Sequence, residues 1–254
     1  MNFERKQGPV SCEFISVLGV RFLRGGYEDA LSLLKNGAFM IAPSAPSLVM
    51  LDEDIAYREA MCSADFAIPD SGLMVLLCRL LGLGKFHKLS GPRFLNRFLS
   101  DAEVAGKHLL VVDPNLEESN LNRDFLRQLP NKFCTTHYVA PLYPPGEIVD
   151  SLLLAKVENV NPDYVLINLG GGVQERVAYF LKRNSSRGQG ILCTGAAIAF
   201  FTGAQVKVPR VFDELYLGWL VRCVSNPNKY LRRYALALQL VPMMIRGTKD
   251  GQKS

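Results

Sequence analysis

Tyr164-Val165-Leu166-Ile167-Asn168-Leu169-Gly170-Gly171-Gly172-Val173-Gln174-Glu175 begins as a near-continuous apolar run and breaks at three glycines. From Gln174 to Arg183 it continues with apolar residues three and four apart. That is the pattern of a buried strand, a tight loop and an amphipathic helix. Working outward, the same alternation recurs. Candidate strands lie at Phe14–Val20, Phe39–Pro43, Phe66–Pro69, Leu109–Asp113, Thr135–Val139 and Gly190–Thr194. Helical spacing occupies Tyr27–Leu34, Leu48–Cys62, Gly72–Leu83, Phe94–Val104, Leu116–Leu129 and Glu147–Asn159. Strands alternating with helices predict an α/β fold, a Rossmann-like, mostly parallel sheet with helices on both faces.

After Gly203 the alternation stops, and Phe212–Val224 and Pro227–Ile245 read as two helices with no strand between them. Pro242 is expected to kink or end the second, and Gly247–Ser254 reads as a frayed polar tail. The chain is therefore divided into an α/β domain, residues 1–203, and a basic, amphipathic helical appendage, residues 204–254. Charge supports the division. Residues 1–203 carry 20 Lys and Arg against 21 Asp and Glu, a balance of −1, whereas residues 204–254 carry nine against three, a balance of +6. So lopsided a segment calls for an anionic partner. The basic residues adjoin an apolar stretch without interleaved stacking aromatics, which argues for a lipid surface and against nucleic acid. Leu236, Leu238, Leu240, Met243, Met244 and Ile245 are expected against that surface or against another subunit.

The six cysteines are scattered without metal-ligand spacing and read as reduced, buried thiols in a cytoplasmic protein. The first ten residues show no signal peptide, and the apolar runs are too short or interrupted to span a bilayer. A soluble or peripheral protein is expected.

Ligands bind at the C-terminal ends of strands in open parallel sheets, which singles out three loops. Ile68-Pro69-Asp70-Ser71-Gly72 places a carboxylate, Asp70, where it could take a proton from an attacking hydroxyl; the competing reading is a helix cap. Gly170, Gly171 and Gly172 open a helix and could let backbone amides approach a phosphate, or form a bare turn. Thr194-Gly195 could border a ligand or simply pack closely. Asp52-Glu53-Asp54 imitates a metal-binding Asp-x-Asp but lies in a helical pattern and reads as a solvated face, with no metal site. His87, His108 and His137 read as surface or internally satisfied residues.

Taken in order, these segments resemble the WecG/TagA/CpsF glycosyltransferases. The resemblance runs from about Gly19 to Tyr234. It is carried by Ala64-Asp65-Phe66-Ala67-Ile68-Pro69-Asp70, Leu169-Gly170 with Gln174-Glu175, and Phe201-Thr202-Gly203 with Lys207 and Pro209. Trp219-Leu220-Val221-Arg222, Asn226-Pro227 and Leu231-Arg232-Arg233-Tyr234 complete it. It implies a nucleotide-sugar donor, usually UDP-linked, and a polyprenyl-diphosphate-linked sugar acceptor. It further implies inversion at the anomeric carbon without a required metal or cofactor, at the inner face of the cell membrane. Asp70 takes the place of the general base. Gln174, with Glu175, lines the pocket with Gly170, Gly171 and Gly195, and Ser44 ends the segment that replaces the family's Thr-x-Asn. Arg222, Lys229 and Arg232 would close over the diphosphate. There are departures: Ser71 follows Asp70 in place of Gly, Arg93 replaces an Asp, and Ala199 replaces the Asp of Phe-Asp-Phe. They leave the donor sugar open and make an inactive, membrane-docked scaffold of the same fold the alternative. A nucleotide-dependent oxidoreductase is the less favoured enzyme, because the first strand lacks Gly-x-Gly-x-x-Gly.

Overall fold

The computed structural model describes residues 12–195, 197–203 and 235–251. Among them eight strands form one sheet. They are β1 (Phe14–Val17), β2 (Val20–Leu23), β3 (Phe39–Ile41), β4 (Phe66–Ala67), β5 (His108–Asp113), β6 (Cys134–Val139), β7 (Tyr164–Ile167) and β8 (Gly190–Cys193). Their order is β1-β2-β4-β3-β8-β7-β5-β6, and every pairing except β1 with β2 is parallel. The mostly parallel sheet of the α/β expectation is therefore present. The run read as one strand, Phe14–Val20, is instead half of a hairpin. Leu18 and Gly19 both adopt positive φ, 55° and 84°, the backbone of a two-residue turn matched to strand twist.

The helices are α1 (Tyr27–Lys35), α2 (Ala45–Val49), α3 (Ile55–Cys62), α4 (Gly72–Leu80), α5 (Gly91–Ser100), α6 (Leu116–Gln128), α7 (Ser151–Val160), α8 (Val173–Asn184), α9 (Ala199–Thr202) and α10 (Leu240–Gly251). The single helix expected over Leu48–Cys62 is divided, because Asp54 accepts a hydrogen bond from the Tyr57 amide (2.9 Å) and starts α3 afresh.

Strand periodicity of two sorts the core into two layers. Phe39, Ile41, Leu110, Val112, Val165, Ile167, Ile191 and Cys193 face one way and pack with Leu48, Tyr57, Met61, Val177 and Leu181. Met40, Phe66, Leu109, Val111, Leu166 and Leu192 face the other and pack with Leu31, Leu34, Phe94, Phe98 and Leu126. Both faces are covered, which accounts for the continuously apolar strands. The thiols are less uniform than expected: Cys78 and Cys193 are buried, but Cys62 and Cys134 are exposed.

Pro242 lies in the first turn of α10, and the turn before it, Ala237–Gln239, is 3-10 rather than α-helical, the local break expected of a proline. The end of the chain corrects the sequence reading at two points. Residues 247–251 are helical rather than frayed. Finally, Leu240, Met243 and Met244, with Ala237, are buried in the same cluster as the sheet, and α10 packs on α2. They do not face lipid. Leu236, Leu238 and Ile245 are exposed. No helix among the described residues is long and apolar enough to cross a membrane.

If α10 is part of the core, Leu240→Ala should destabilise the protein by about 2–5 kcal/mol. Leu238→Ala, on the exposed side, should stay within about 0.5 kcal/mol. Urea unfolding of the full chain, read as a lower midpoint at constant m, checks the contrast.

Candidate active site

Because β2 to β8 run in one direction, the loops after β3, β4, β5, β7 and β8 gather at one edge of the sheet. Asp70 lies on this edge just after β4. Its Oδ1 accepts a hydrogen bond from the Gly91 amide (2.9 Å), at the start of α5. The competing cap reading is not what the structure shows. Ser71 caps α4, accepting from the Met74 amide (3.3 Å), and also accepts from the Ala45 amide (3.1 Å). A Cβ placed on Gly91 would stand 3.8 Å from both Ala42 Cβ and the Thr194 carbonyl oxygen and 3.9 Å from Asp70 Cγ. The ends of β3, β4 and β8 therefore converge on the start of α5, with Asp70 among them.

Ser44, predicted to bind substrate, begins α2. It accepts from the Ser47 amide (3.3 Å), and its carbonyl takes the Ser47 hydroxyl (2.7 Å).

Between β7 and α8, Gly172 has φ 93°, a conformation costly for any side chain-bearing residue. Gly170 and Gly171 are exposed, with open space where a Cβ would stand. Gln174 and Glu175, expected to line the pocket, are themselves buried and bonded in series. The Gly195 amide donates to Gln174 Oε1 (2.8 Å), Gln174 Nε2 donates to Glu175 Oε1 (2.8 Å), and the Gly172 amide donates to Glu175 Oε2 (2.7 Å). This chain of bonds staples the loop after β7 to the loop after β8. Burial pushes the Glu175 carboxyl above the ordinary carboxylate range, against the donors from Gln174 and the backbone. Arg176 extends the brace, donating to the carbonyls of Gly172 (2.7 Å) and Gly146 (2.5 Å).

A second polar cluster had no signal in the sequence beyond an Asp and an Asn each ending an apolar strand. Asp113, at the end of β5, is fully buried. It accepts from Asn122 Nδ2 (2.7 Å) and Asn168 Nδ2 (3.1 Å) at Oδ1, and pairs with His137 Nδ1 (2.9 Å) at Oδ2. Burial alone would raise the Asp113 carboxyl, but the His137, Asn122 and Asn168 donors outweigh it and hold it below its ordinary value. His137 is thus internally satisfied at Nδ1, as read from the sequence. Asn168 Oδ1, Thr194 Oγ1 and His137 Nε2 are buried with no hydrogen-bond partner among the described residues.

Asp52 and Asp54 do not converge on a shared site. Asp52 pairs with Arg58 (2.5 Å) and Arg246 (3.6 Å), and Asp54 caps α3. Arg222, Lys229 and Arg232 lie outside the described residues. A polar cavity of about 650 Å³ opens at the opposite end of the strands, by Lys35, Lys107 and Arg187. Lys35 is neutralised there by Asp101 (2.7 Å) and Glu103 (2.9 Å), and Lys107 by Asp163 (3.5 Å). Physical chemistry therefore favours the strand C-terminal edge, where Asp70 and the open glycines stand, over that cavity.

The sequence profile of the glycosyl transferase WecG/TagA/CpsF family matches residues 15–253. Among curated proteins, the chain is similar to the N-acetylglucosaminyldiphosphoundecaprenol N-acetyl-beta-D-mannosaminyltransferase of Bacillus subtilis (strain 168). The two are 23% identical over 194 residues, 73% of each chain. The enzymes of the same name from Bacillus spizizenii and Staphylococcus aureus (strain MRSA252) are 21% and 19% identical, over 79% and 75% of this chain and 76% and 73% of theirs. A match across nearly the whole chain, on a sheet whose C-terminal edge holds Asp70 and the loop of residues 170–175, displaces the oxidoreductase reading and makes this protein a member of the WecG/TagA/CpsF glycosyltransferase family.

Proposed function

We propose that this chain moves a sugar from a nucleotide-sugar, UDP-linked, to a polyprenyl-diphosphate-linked sugar, with inversion at the anomeric carbon and without a metal. The observation that carries the reading is Asp70, held by the Gly91 amide at the edge where the β3, β4 and β8 loops meet. The names of the Bacillus and Staphylococcus relatives support the acceptor class, an N-acetylglucosaminyl diphosphoundecaprenol.

The reaction is a single displacement. A hydroxyl of the acceptor sugar attacks the anomeric carbon and gives its proton to the Asp70 carboxylate. The bond from that carbon to the diphosphate oxygen breaks, and the nucleoside diphosphate leaves with the electron pair. Arg222, Lys229 and Arg232, from the basic segment 204–254, stabilise the leaving charge. Exposed Gly170 and Gly171 offer backbone to the diphosphate at the start of α8. Gln174 and Glu175 act one step back, as positioning residues, because their polar atoms already hold Gly195 and Gly172. Ser44 has a similar supporting part at the start of α2. The basic segment and the outward Leu236, Leu238 and Ile245 dock the protein on the anionic inner face of the membrane. Ser71, Arg93 and Ala199 alter groups near the reacting sugars, so the relatives' N-acetylmannosaminyl donor is not carried over.

Asp70→Asn should lower turnover by about 10²–10⁴-fold while the protein still folds and binds UDP. Mass spectrometry of products from nucleotide-sugars and a synthetic prenyl-diphosphate-N-acetylglucosamine reads it. A loss below about tenfold removes Asp70 from the role, and a wild-type chain inert toward every donor leaves the scaffold.

Gln174→Ala frees the Gly195 amide and one Glu175 oxygen. Donor KM should rise together with a loss of stability of about 1–3 kcal/mol, the cost of buried groups left unpaired. Gln174→Glu, which keeps an acceptor for Gly195, should recover part of the affinity. A KM unchanged in a destabilised Gln174→Ala protein would leave the residue with a purely structural part.

Full-length protein should float with phosphatidylglycerol vesicles and be released by salt, since each Lys or Arg near such a surface contributes about 1 kcal/mol. Equal recovery with neutral vesicles, or none with either, counts against docking by charge.

A further inference from the structure

Two buried side-chain atoms on the candidate edge have no hydrogen-bond partner among the described residues, and their residues end neighbouring strands. Ile167 of β7 and Cys193 of β8 are paired in register, so the residues that follow, Asn168 and Thr194, end adjacent strands. Asn168 is 4% and Thr194 8% exposed, and neither Asn168 Oδ1 nor Thr194 Oγ1 meets a hydrogen-bonding group among the described residues.

The orientation of the Asn168 amide is decided by its neighbour. Asp113 carries an ionised carboxylate with acceptors only, so the group 3.1 Å from its Oδ1 must be the Asn168 NH₂. The Asn168 amide hydrogen-bonded to the Val112 carbonyl (2.9 Å) fixes the backbone as well. Oδ1 is therefore presented as a fixed acceptor that calls for a donor. A hydroxyl supplies one; a phosphate or a carboxylate does not.

Position along the edge says which hydroxyl. In the strand order β4-β3-β8-β7, β8, which Thr194 follows, is two strands and β7, which Asn168 follows, three strands from β4, roughly 10 and 14 Å at ~4.8 Å per strand. With the anomeric carbon beside Asp70 and the diphosphate over Gly170, Gly171 and Gly195, the next ring of the donor is the ribose. Nearby Ala199 stands where the family resemblance places a carboxylate, so a polar contact to the donor has to come from other residues of this edge.

We propose that Asn168, aimed by Asp113 and flanked by Thr194, accepts a hydrogen bond from a ribose hydroxyl of the donor nucleotide. This rests on the nucleotide-sugar reading above and adds a specificity-determining contact to it. Asp113 is the positioning residue, and its partners Asn122 and His137 hold it in place.

Calorimetry of the full chain with UDP, 2′-deoxy-UDP and 3′-deoxy-UDP tests it. Wild type should bind UDP at least about tenfold more tightly than one of the two analogues, because a site built around a hydroxyl rejects its absence. Asn168→Ala should bind UDP no better than that analogue, so the discrimination collapses. Asp113→Asn, which can offer the Asn168 amide either face, should narrow the ratio. Wild type that binds all three equally overturns the proposal without recourse to any variant, and so does an Asn168→Ala protein that keeps the ratio. Discrimination without sugar transfer would sink the proposed function and leave this contact standing. Transfer without discrimination would do the reverse, and a chain that binds no nucleotide sinks both.

Discussion

The hydrogen bond from the Gly195 amide to Gln174 Oε1 is the constraint on which the candidate site depends. Parallel strands deliver loops to one edge but do not fix those loops to each other. Here a buried side-chain amide spans the gap between the β7 and β8 loops and hands the constraint on through Glu175 to the Gly172 amide. Gly172 can then hold its positive φ, and Gly170 and Gly171 can remain open without the loop collapsing. Buried polar groups are costly unless every partner is present. That cost makes the staple specific: a slipped loop would strand a carboxylate and two amides together.

The same logic recurs across the edge. Ser71 ties the β4 loop to the start of α2, Gly91 ties Asp70 to α5, and Asp113 ties β5 to β6, β7 and α6. Each tie joins elements distant in sequence. A ligand-binding edge built this way is pre-organised by side chains that need never touch the ligand.

This also explains what was legible in the sequence. The strands at Leu109–Asp113, Tyr164–Leu169 and Gly190–Thr194 could be read because burial on both faces writes continuous apolar residues into the chain. The Leu18-Gly19 turn could not, because Leu18 continues the apolar run and only the backbone reveals the reversal. The break before α3 was hidden in an acidic triplet that looked like a solvated face, although Asp54 is a good cap residue. The burial of Leu240, Met243 and Met244 was misread because an amphipathic helix has the same pattern whether it meets lipid or its own core. Strand-end position and family likeness single out Asp70, but nothing in the sequence points to its Gly91 partner, 21 residues away. The Asp113 cluster was invisible: its partners are 9, 24 and 55 residues distant, and no local motif records them.

Residues that resemble a binding motif and residues free to bind are not the same set. Ser44, Gln174 and Glu175 stand where the resemblance leads one to expect pocket residues, yet in this chain their polar atoms are spent on the scaffold. Asn168 and Thr194 belong to none of the segments that carry the resemblance, yet Asn168 Oδ1 and Thr194 Oγ1, beside the glycine loops, are buried and unpaired among the described residues. Evolutionary change that keeps the staple while altering the open groups keeps the fold and shifts the ligand. Core ties tolerate little, because losing one partner exposes the full cost of the other. An open group can change at no cost to the scaffold. Divergence in a family of this kind is therefore expected to spare the bonds that hold Gly172 and Gly195 together.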